Sequence, residues 1–176
     1  CLATCPDKLA LTAVQVETGA VTRFTYRQLA RMADRVAVGL ARLGVGRNDV
    51  VAMQLPNGWQ FTVTYLACTR LGAVINPLMH IFRERELSFM LRHGEAKVLV
   101  VPKVFRGFDH EAMAHTLQAR LRRLQHVLAI GGCGPDPFEA RLLAGNLDPE
   151  AMLADARPMT PNDVVQILYT SGTTDE

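Results

Sequence analysis

The stretch DVVAMQLPNG, residues 49–58, carries the clearest structural signal in the sequence. An apolar run suited to a buried strand passes directly into Pro, Asn and Gly, which turn the chain. Asn57 can then cap a helix that runs to about Leu71, because its short polar side chain accepts bonds from free amides. Gly72 ends that helix, and AVIN (73–76) follows as a short strand. These signals predict a strand–helix–strand unit.

The same order recurs further along the chain. Helices with one apolar face alternate with short, continuous apolar strands, and glycines or acidic caps mark the boundaries. Such alternation predicts an α/β fold with a mainly parallel sheet that is covered by helices on both faces. The further predicted elements are helix 83–92, strand 97–102, helix 109–124 and strand 126–130.

Before the first strand of this sheet, the sequence predicts a hairpin and a helix. LALTAVQV (9–16) and TRF (22–24) are two strands joined by a turn that contains glycine. Thr25 begins a helix, and Thr25 with Gln28 matches a capping box, in which each residue satisfies a free backbone donor. Gly44 stands where a helix commonly ends in a left-handed residue.

The end of the sequence departs from this rhythm. Residues 131–162 contain a Gly/Pro-rich loop and short helical pieces, which we interpret as an excursion at the edge of the sheet. TPNDVVQILY (160–169) then returns as a strand and passes into TSGTT, residues 170–174.

Bulk composition indicates a soluble globular chain with one domain, or most of one. The chain has 176 residues, of which 49% are hydrophobic and 20% charged, and its net charge is +2. This charge gives no reason to expect a nucleic-acid partner. The densest basic cluster, Arg120, Arg122 and Arg123, is interpreted as the solvated face of a helix rather than a phosphate-binding patch.

The four cysteines do not form a disulfide scaffold, and we expect them to be reduced in a cytoplasmic protein. Cys1 and Cys5 alone give poor zinc spacing. His110-Glu111 lacks the histidine that a zinc-binding HExxH motif needs at position 114, so His110 is expected to be structural or at the surface. No metal site and no membrane span are predicted, since no apolar run reaches 18 residues.

The loop at 170–174 has the composition of a phosphate-binding loop. Glycine allows close approach of the backbone, successive N–H groups can surround an anion, and the hydroxyls add donors. A surface loop rich in small polar residues is the alternative. A Walker loop is excluded, because the sequence has no Gly-Lys pair. The G-x-G groups at 44–46 and 132–134 do not fit a dinucleotide fingerprint and are interpreted as turns.

Taken together, these segments resemble the AMP-forming acyl- and aryl-CoA synthetases, a superfamily that includes luciferases and peptide-synthetase adenylation domains. YTSGTT (169–174) is similar to their phosphate-binding signature. The segments 24–61, 65–78 and 83–102 are similar to their early helix–strand regions, so the likeness covers about residues 5–174. Ligases for medium-chain fatty acids or alicyclic acids such as cyclohexanecarboxylate are the most similar subgroup.

The resemblance implies a two-step reaction on a small carboxylic acid. ATP with Mg²⁺ gives an acyl-adenylate, and coenzyme A then takes the acyl group. Tyr169 ends the strand and is expected to be structural. No catalytic residue is expected within this chain. The residues implied to hold the β- and γ-phosphates are Thr170, Ser171, Gly172, Thr173 and Thr174.

The resemblance also implies that residues 1–176 are the N-terminal portion of an AMP-binding (adenylation) domain, truncated at the phosphate-binding loop. Asp175 stands where the family signature continues with glycine, and the following lysine is absent. We therefore expect a cut rather than a natural terminus, no catalysis by the chain alone, and possible self-association through an exposed apolar face.

Two rival hypotheses stay open. The acyl acceptor could be a carrier protein, or oxygen as in luciferases, instead of coenzyme A. Alternatively, the chain could be a non-catalytic α/β binding module.

Overall fold

The computed structural model describes residues 2–15, 18–132, 137–145 and 159–170, together with residues 149, 153 and 157. Strands and helices alternate through most of this part of the chain. Its strands are β1 (Leu9–Val14), β2 (Val21–Thr25), β3 (Val50–Met53), β4 (Val74–Pro77), β5 (Ala96–Pro102), β6 (Val104–Phe105), β7 (Phe108–Asp109) and β8 (His126–Ile130). Its helices are α1 (Tyr26–Arg42), α2 (Trp59–Leu71), α3 (Glu84–His93), α4 (His110–Gln118) and α5 (Phe138–Leu143).

A four-stranded parallel sheet in the order β4-β3-β5-β8 forms the centre of the fold. The helices α1, α2 and α5 cover one face, where Leu40, Val51 and Val63 belong to one buried cluster. The helices α3 and α4 cover the other face, where Leu87 and Leu117 belong to a second cluster. The predicted α/β class, with helices on both faces of a parallel sheet, is confirmed.

The local signals at helix ends were mostly interpreted correctly. The Thr25 hydroxyl accepts from the Gln28 amide at 3.2 Å, and the Gln28 side chain accepts from the Thr25 amide at 2.9 Å. Gly44 and Gly72 have φ of +77° and +69°, a conformation that glycine adopts without steric cost. The cap of α2 was predicted wrongly, because Gly58 is the N-cap and Asn57 lies outside the helix.

The helix that begins at Asp109 is shorter than predicted. Asp109 accepts from the Ala112 amide at 2.8 Å, which confirms the cap, but α4 ends at Gln118 and not near residue 124. The arginine cluster at 120–123 therefore lies in the turn after the helix and not on its face. It is exposed, as predicted, and Arg123 pairs with Glu95 at 3.5 Å.

One helix of the region interpreted as an edge excursion, α5, contributes to the core. Phe138 and Leu142 of α5 are fully buried. The helix α5 packs against α1, where a Cβ built on Gly39 would lie 2.6 Å from the Leu142 Cα. This close approach brings α5 into the apolar cluster beneath α1. The parallel bridge between Ala129 and Pro137 places the chain just before α5 beside β8, at the edge of the sheet, as predicted.

Within the described residues no helix is long and apolar enough to cross a membrane. The hairpin β1–β2 is antiparallel, as predicted, and a second short hairpin, β6–β7, was not foreseen. Cys5 and Cys68 are free thiols.

Candidate phosphate-binding site

The strands of the central sheet all end at one edge. Because the sheet is parallel, the residues that follow β3, β4, β5 and β8 meet there. Ligands of open α/β sheets bind characteristically in the crevice outside these carboxyl ends. This edge is therefore where the predicted phosphate-binding residues have to lie if the sequence was interpreted correctly.

The segment 164–169 runs parallel to β4 along its outer side. The Ile75 amide donates to the Val165 carbonyl at 2.9 Å, and the Ile167 amide donates to the Ile75 carbonyl at 2.8 Å. The pairing is limited to a single parallel bridge between Ile75 and Gln166, so the predicted strand over 160–169 forms only in this rudimentary way. Its direction nevertheless carries the chain to the carboxyl edge of the sheet.

Of the residues predicted to hold phosphate, the structure locates Thr170. It is exposed and directly follows the segment paired with β4. Its hydroxyl therefore stands at the carboxyl edge, in the region expected for a ligand. The remaining predicted residues, Ser171, Gly172, Thr173 and Thr174, lie outside the described residues.

The beginning of the segment is fixed by Asp163. Its carboxylate accepts from the Thr160 amide at 2.6 Å and from the Thr160 hydroxyl at 2.9 Å. Arg47 and Arg157 lie 3.2 Å and 3.4 Å from the same carboxylate. The bonds from Thr160, followed by the two arginines, hold the pKa of Asp163 below its usual range. The carboxylate thus remains charged and ties the approach to Thr170 to the loop that precedes β3.

The middle of the segment is contacted from α2. The Tyr65 hydroxyl donates to the Gln166 Oε1 at 3.3 Å. Val164 and Leu168 stay exposed, at 59% and 65%. These apolar side chains are consistent with the expected exposed face, and self-association through that face stays a prediction.

Next to this segment, the loop after β4 is held by a buried polar pair. The Gln54 Nε2 donates to the Met79 and Phe82 carbonyls at 2.9 Å each. Since both carbonyls can only accept, the Gln54 Oε1 faces His110, and the His110 Nδ1, 3.0 Å away, must be the donor. The pair connects β3, the loop 78–82 and the first turn of α4.

His110 is buried, so its predicted structural role is confirmed and the surface alternative is wrong. Burial lowers the pKa of His110, with Arg83 and His80 adding to the effect, so the ring stays neutral near pH 7. Within the described part of the chain, no group of three His, Cys, Asp or Glu residues could hold a metal ion. Sequence reasoning missed Gln54, although a single amide at the end of an apolar run was an available signal.

Three further aromatic and histidine side chains make packing contacts. Trp59 and Phe61 are partly buried against the core, and the Trp59 ring lies 5.8 Å from that of Phe24. His80 is half-buried, and its ring lies edge-to-face against that of Phe105 with the ring centroids 4.9 Å apart. Trp59 and Phe61 are therefore packing residues of the core.

Comparison with known proteins adds independent support for the resemblance. The family model described as AMP-binding enzyme matches residues 2–175. The chain is 37% identical over 158 residues to the 2-hydroxy-7-methoxy-5-methyl-1-naphthoate–CoA ligase of Streptomyces carzinostaticus, covering 86% of this chain and 28% of that protein. It is 30% identical over 174 residues to the medium-chain fatty-acid–CoA ligase of Escherichia coli (strain K12), covering 96% of this chain and 29% of that protein.

The fold is also found among solved structures. The apo structure of Mycobacterium smegmatis MbtA superposes with a TM-score of 0.78 at 27% identity, covering 98% of this chain and 30% of that one. The chain thus spans 28–30% of the length of these relatives.

Proposed function

Because the chain belongs to the AMP-binding enzyme family, we propose that the full-length protein activates a hydrophobic carboxylic acid with ATP and passes the acyl group to coenzyme A. In this proposal residues 1–176 form the N-terminal portion of the adenylation domain. The observation that supports it is the direction of segment 164–169, which brings Thr170, the first of the residues proposed to hold phosphate, to the carboxyl edge of the parallel sheet.

The reaction proceeds in two displacements. A carboxylate oxygen of the acid attacks the α-phosphorus of ATP, the bond to the bridging oxygen breaks, and pyrophosphate leaves. The sulfur of coenzyme A then attacks the acyl carbonyl, loses its proton, and releases AMP. Catalysis of the first step depends mainly on positioning and on stabilising charge as it moves onto pyrophosphate.

The residues of the signature carry the binding role in that first step. The hydroxyls of Thr170, Ser171, Thr173 and Thr174 donate to phosphate oxygens, and Gly172 lets the backbone amides approach them. A hydrogen bond to a charged group contributes about 1.5–3 kcal/mol, so a few such donors suffice to hold the leaving pyrophosphate. Magnesium is bound together with the phosphates of ATP, because those oxygens are the ligands it prefers.

The acid is proposed to be hydrophobic, with medium-chain fatty and alicyclic acids as the first candidates. The two relatives described above differ in this respect, because one is a naphthoate–CoA ligase and the other a medium-chain fatty-acid–CoA ligase. Aromatic acids therefore belong in the same test.

The test is carboxylate-dependent exchange of labelled pyrophosphate into ATP by the full-length protein. The panel contains short, medium and long fatty acids together with cyclohexane-, benzene- and naphthalenecarboxylate. We expect exchange with at least one medium-chain, alicyclic or aromatic acid and none without acid. Failure with every acid, by a protein that is folded, would overturn the proposal and favour a non-catalytic binding module.

The acceptor is tested separately. Acyl-adenylate formed by the protein is mixed with coenzyme A or with a carrier protein that bears a phosphopantetheine arm. Formation of acyl-coenzyme A supports the proposal, whereas transfer to the carrier protein alone would replace the proposed acceptor.

A further inference from the structure

The last side chain described before Thr170 belongs to Tyr169, and it is held on the α3 side of the sheet. Its hydroxyl lies 2.9 Å from the Met90 carbonyl oxygen and 3.2 Å from the His93 Nδ1. Both partners belong to the last turn of α3. Met90 lies 79 residues and His93 76 residues before Tyr169 in the chain. The contact therefore ties the end of segment 164–169 to a helix that the core holds firmly through Leu87 and Leu91.

The chemistry of the partners fixes the direction of these hydrogen bonds. A backbone carbonyl can only accept, so the Tyr169 hydroxyl donates to Met90. Having used its single proton, the phenol oxygen accepts from the His93 Nδ1. Burial raises the pKa of Tyr169, so the hydroxyl keeps the proton that it donates. The Met90 carbonyl also accepts from the Gly94 amide at 2.9 Å. It therefore accepts two hydrogen bonds, one from the end of the helix and one from Tyr169.

The space around the hydroxyl is closely bounded. A Cβ built on Gly94 would lie 3.3 Å from the Tyr169 oxygen and 3.1 Å from the Met90 oxygen, tighter than most real contacts of a Cβ. The rings of Phe89 and His93 meet the Tyr169 ring at 68°, with centroids 6.3 Å and 5.9 Å away. Gly94 thus leaves just the room that the hydroxyl occupies, and the aromatic neighbours limit rotation of the ring.

We propose that Tyr169 is a positioning residue for ATP, whose hydroxyl, held by the Met90 carbonyl and the His93 imidazole, fixes the point at which the phosphate-binding residues leave the sheet. This inference rests on the proposed function, because it assigns Tyr169 a role in the same site. Tyr169 itself touches no phosphate in this account. It acts by keeping residues 170–174 in the arrangement that binds phosphate.

The consequence for kinetics follows from population arithmetic. If only a fraction of molecules holds the loop in the competent arrangement, the apparent dissociation constant for ATP rises by the inverse of that fraction. Saturating ATP restores the competent arrangement, so kcat stays nearly unchanged. Removing the Tyr169 hydroxyl should therefore raise the KM for ATP and leave the KM for the acid unchanged.

The decisive variant is Tyr169→Phe, which removes one oxygen atom and keeps the ring. In pyrophosphate exchange by the full-length protein we expect the KM for ATP to rise about threefold to tenfold, the range that corresponds to one hydrogen bond. The matched control is Tyr65→Phe, which removes the hydroxyl that contacts Gln166 on the opposite side of the same segment. Backbone bonds on both sides of Gln166 already hold the chain there, so the KM for ATP should change less than twofold.

A second variant separates positioning from general loss of structure. His93→Ala leaves the tyrosine in place and removes one of its two partners, and we expect an intermediate rise in the KM for ATP. In the double variant the His93 change should add nothing to Tyr169→Phe, because both act through the same hydroxyl. Additive effects would overturn the proposed route.

The outcomes distinguish this inference from the function on which it rests. A wild-type protein without exchange would overturn both. Exchange by the wild type, with the same KM for ATP in Tyr169→Phe, would overturn the positioning role alone. A lowered melting temperature without a change in the KM for ATP would also overturn it, because that result describes a merely structural tyrosine.

Discussion

Replacing Gly39 by alanine should destabilise this fold, although the same change stabilises most helices. Gly39 lies within α1, where alanine is normally favoured over glycine by about 1 kcal/mol. In this protein, however, a Cβ at position 39 would lie 2.6 Å from the Leu142 Cα and 2.8 Å from the Leu142 carbonyl oxygen. Both atoms belong to the backbone of α5, which cannot rotate away as a side chain can.

The size of the effect follows from these distances. Carbon atoms pack best at about 3.5–4.0 Å, so α5 has to move outward by about 1 Å to accept the new methyl group. Overpacking of this kind costs about 1–3 kcal/mol, and the rigidity of the displaced atoms places Gly39→Ala toward the upper end. After the gain of about 1 kcal/mol in helix propensity is subtracted, a net loss of about 1–2 kcal/mol remains.

Native-state hydrogen exchange of the full-length protein, read by mass spectrometry, measures this loss where it arises. Amides of α5 and of the facing turns of α1 should exchange about fivefold to thirtyfold faster, since 1.4 kcal/mol corresponds to a factor of ten. Gly46→Ala is the matched control, because its Cβ would meet nothing closer than the Asp49 carboxylate at 4.0 Å. That change should leave α5 unaffected and stabilise slightly. Slower exchange of α5 in Gly39→Ala would refute the reasoning.

Other predictions concern single buried groups. Burial lowers the pKa of His110, so the unfolded chain binds a proton that the folded chain resists, and stability should fall as the pH drops below 6.5, the ordinary histidine value. Urea titrations across this range should lose that slope in His110→Gln, and an unchanged slope would contradict the assignment. Asn76→Val should raise the free energy of unfolding by about 1 kcal/mol, because both amide atoms of Asn76 are buried without a partner among the described residues; destabilisation in the same urea assay would argue against this. Burial raises the pKa of Cys68 to about 12, so iodoacetamide should label Cys5 but not Cys68 in the native protein, and rapid labelling of Cys68 by mass spectrometry would show that its site opens.

Elements defined by local chemistry could be predicted from the sequence. The capping box at Thr25, the left-handed glycine at Gly72 and the apolar runs of β3, β5 and β8 each depend on a few neighbouring residues. Alternation of such elements was sufficient to predict a parallel sheet with both faces covered.

Features that depend on distant partners could not be predicted in this way. Gly39 is glycine because Leu142, 103 residues later in the chain, approaches its backbone. The contact between Gln54 and His110 spans 56 residues. Nothing local to either partner reveals such a contact before the fold brings the two together.

The end of α4 shows why a correct pattern can still give a wrong boundary. Leu121 and Leu124 continue the apolar spacing of the helix and are only 8% and 3% exposed, but both lie beyond the end of α4. Their apolar character reflects the burial of both side chains in the core and does not require that the helix continue to them. For the candidate site, the sequence predicted that residues 160–169 return to the sheet and lead into residues 170–174, and the contacts of those residues with phosphate stay a prediction.

The most direct test of the account is the dependence of acid-driven pyrophosphate exchange on the signature itself. The full-length protein is compared with a variant in which Ser171→Ala, Thr173→Val and Thr174→Val remove hydroxyls without large changes of volume. We predict exchange by the wild type and at least a hundredfold lower kcat/KM for ATP in the variant, since three lost bonds to charged oxygens, even at about 1 kcal/mol each, exceed that factor. Equal exchange by the two folded proteins would show that these residues do not hold the phosphates of ATP.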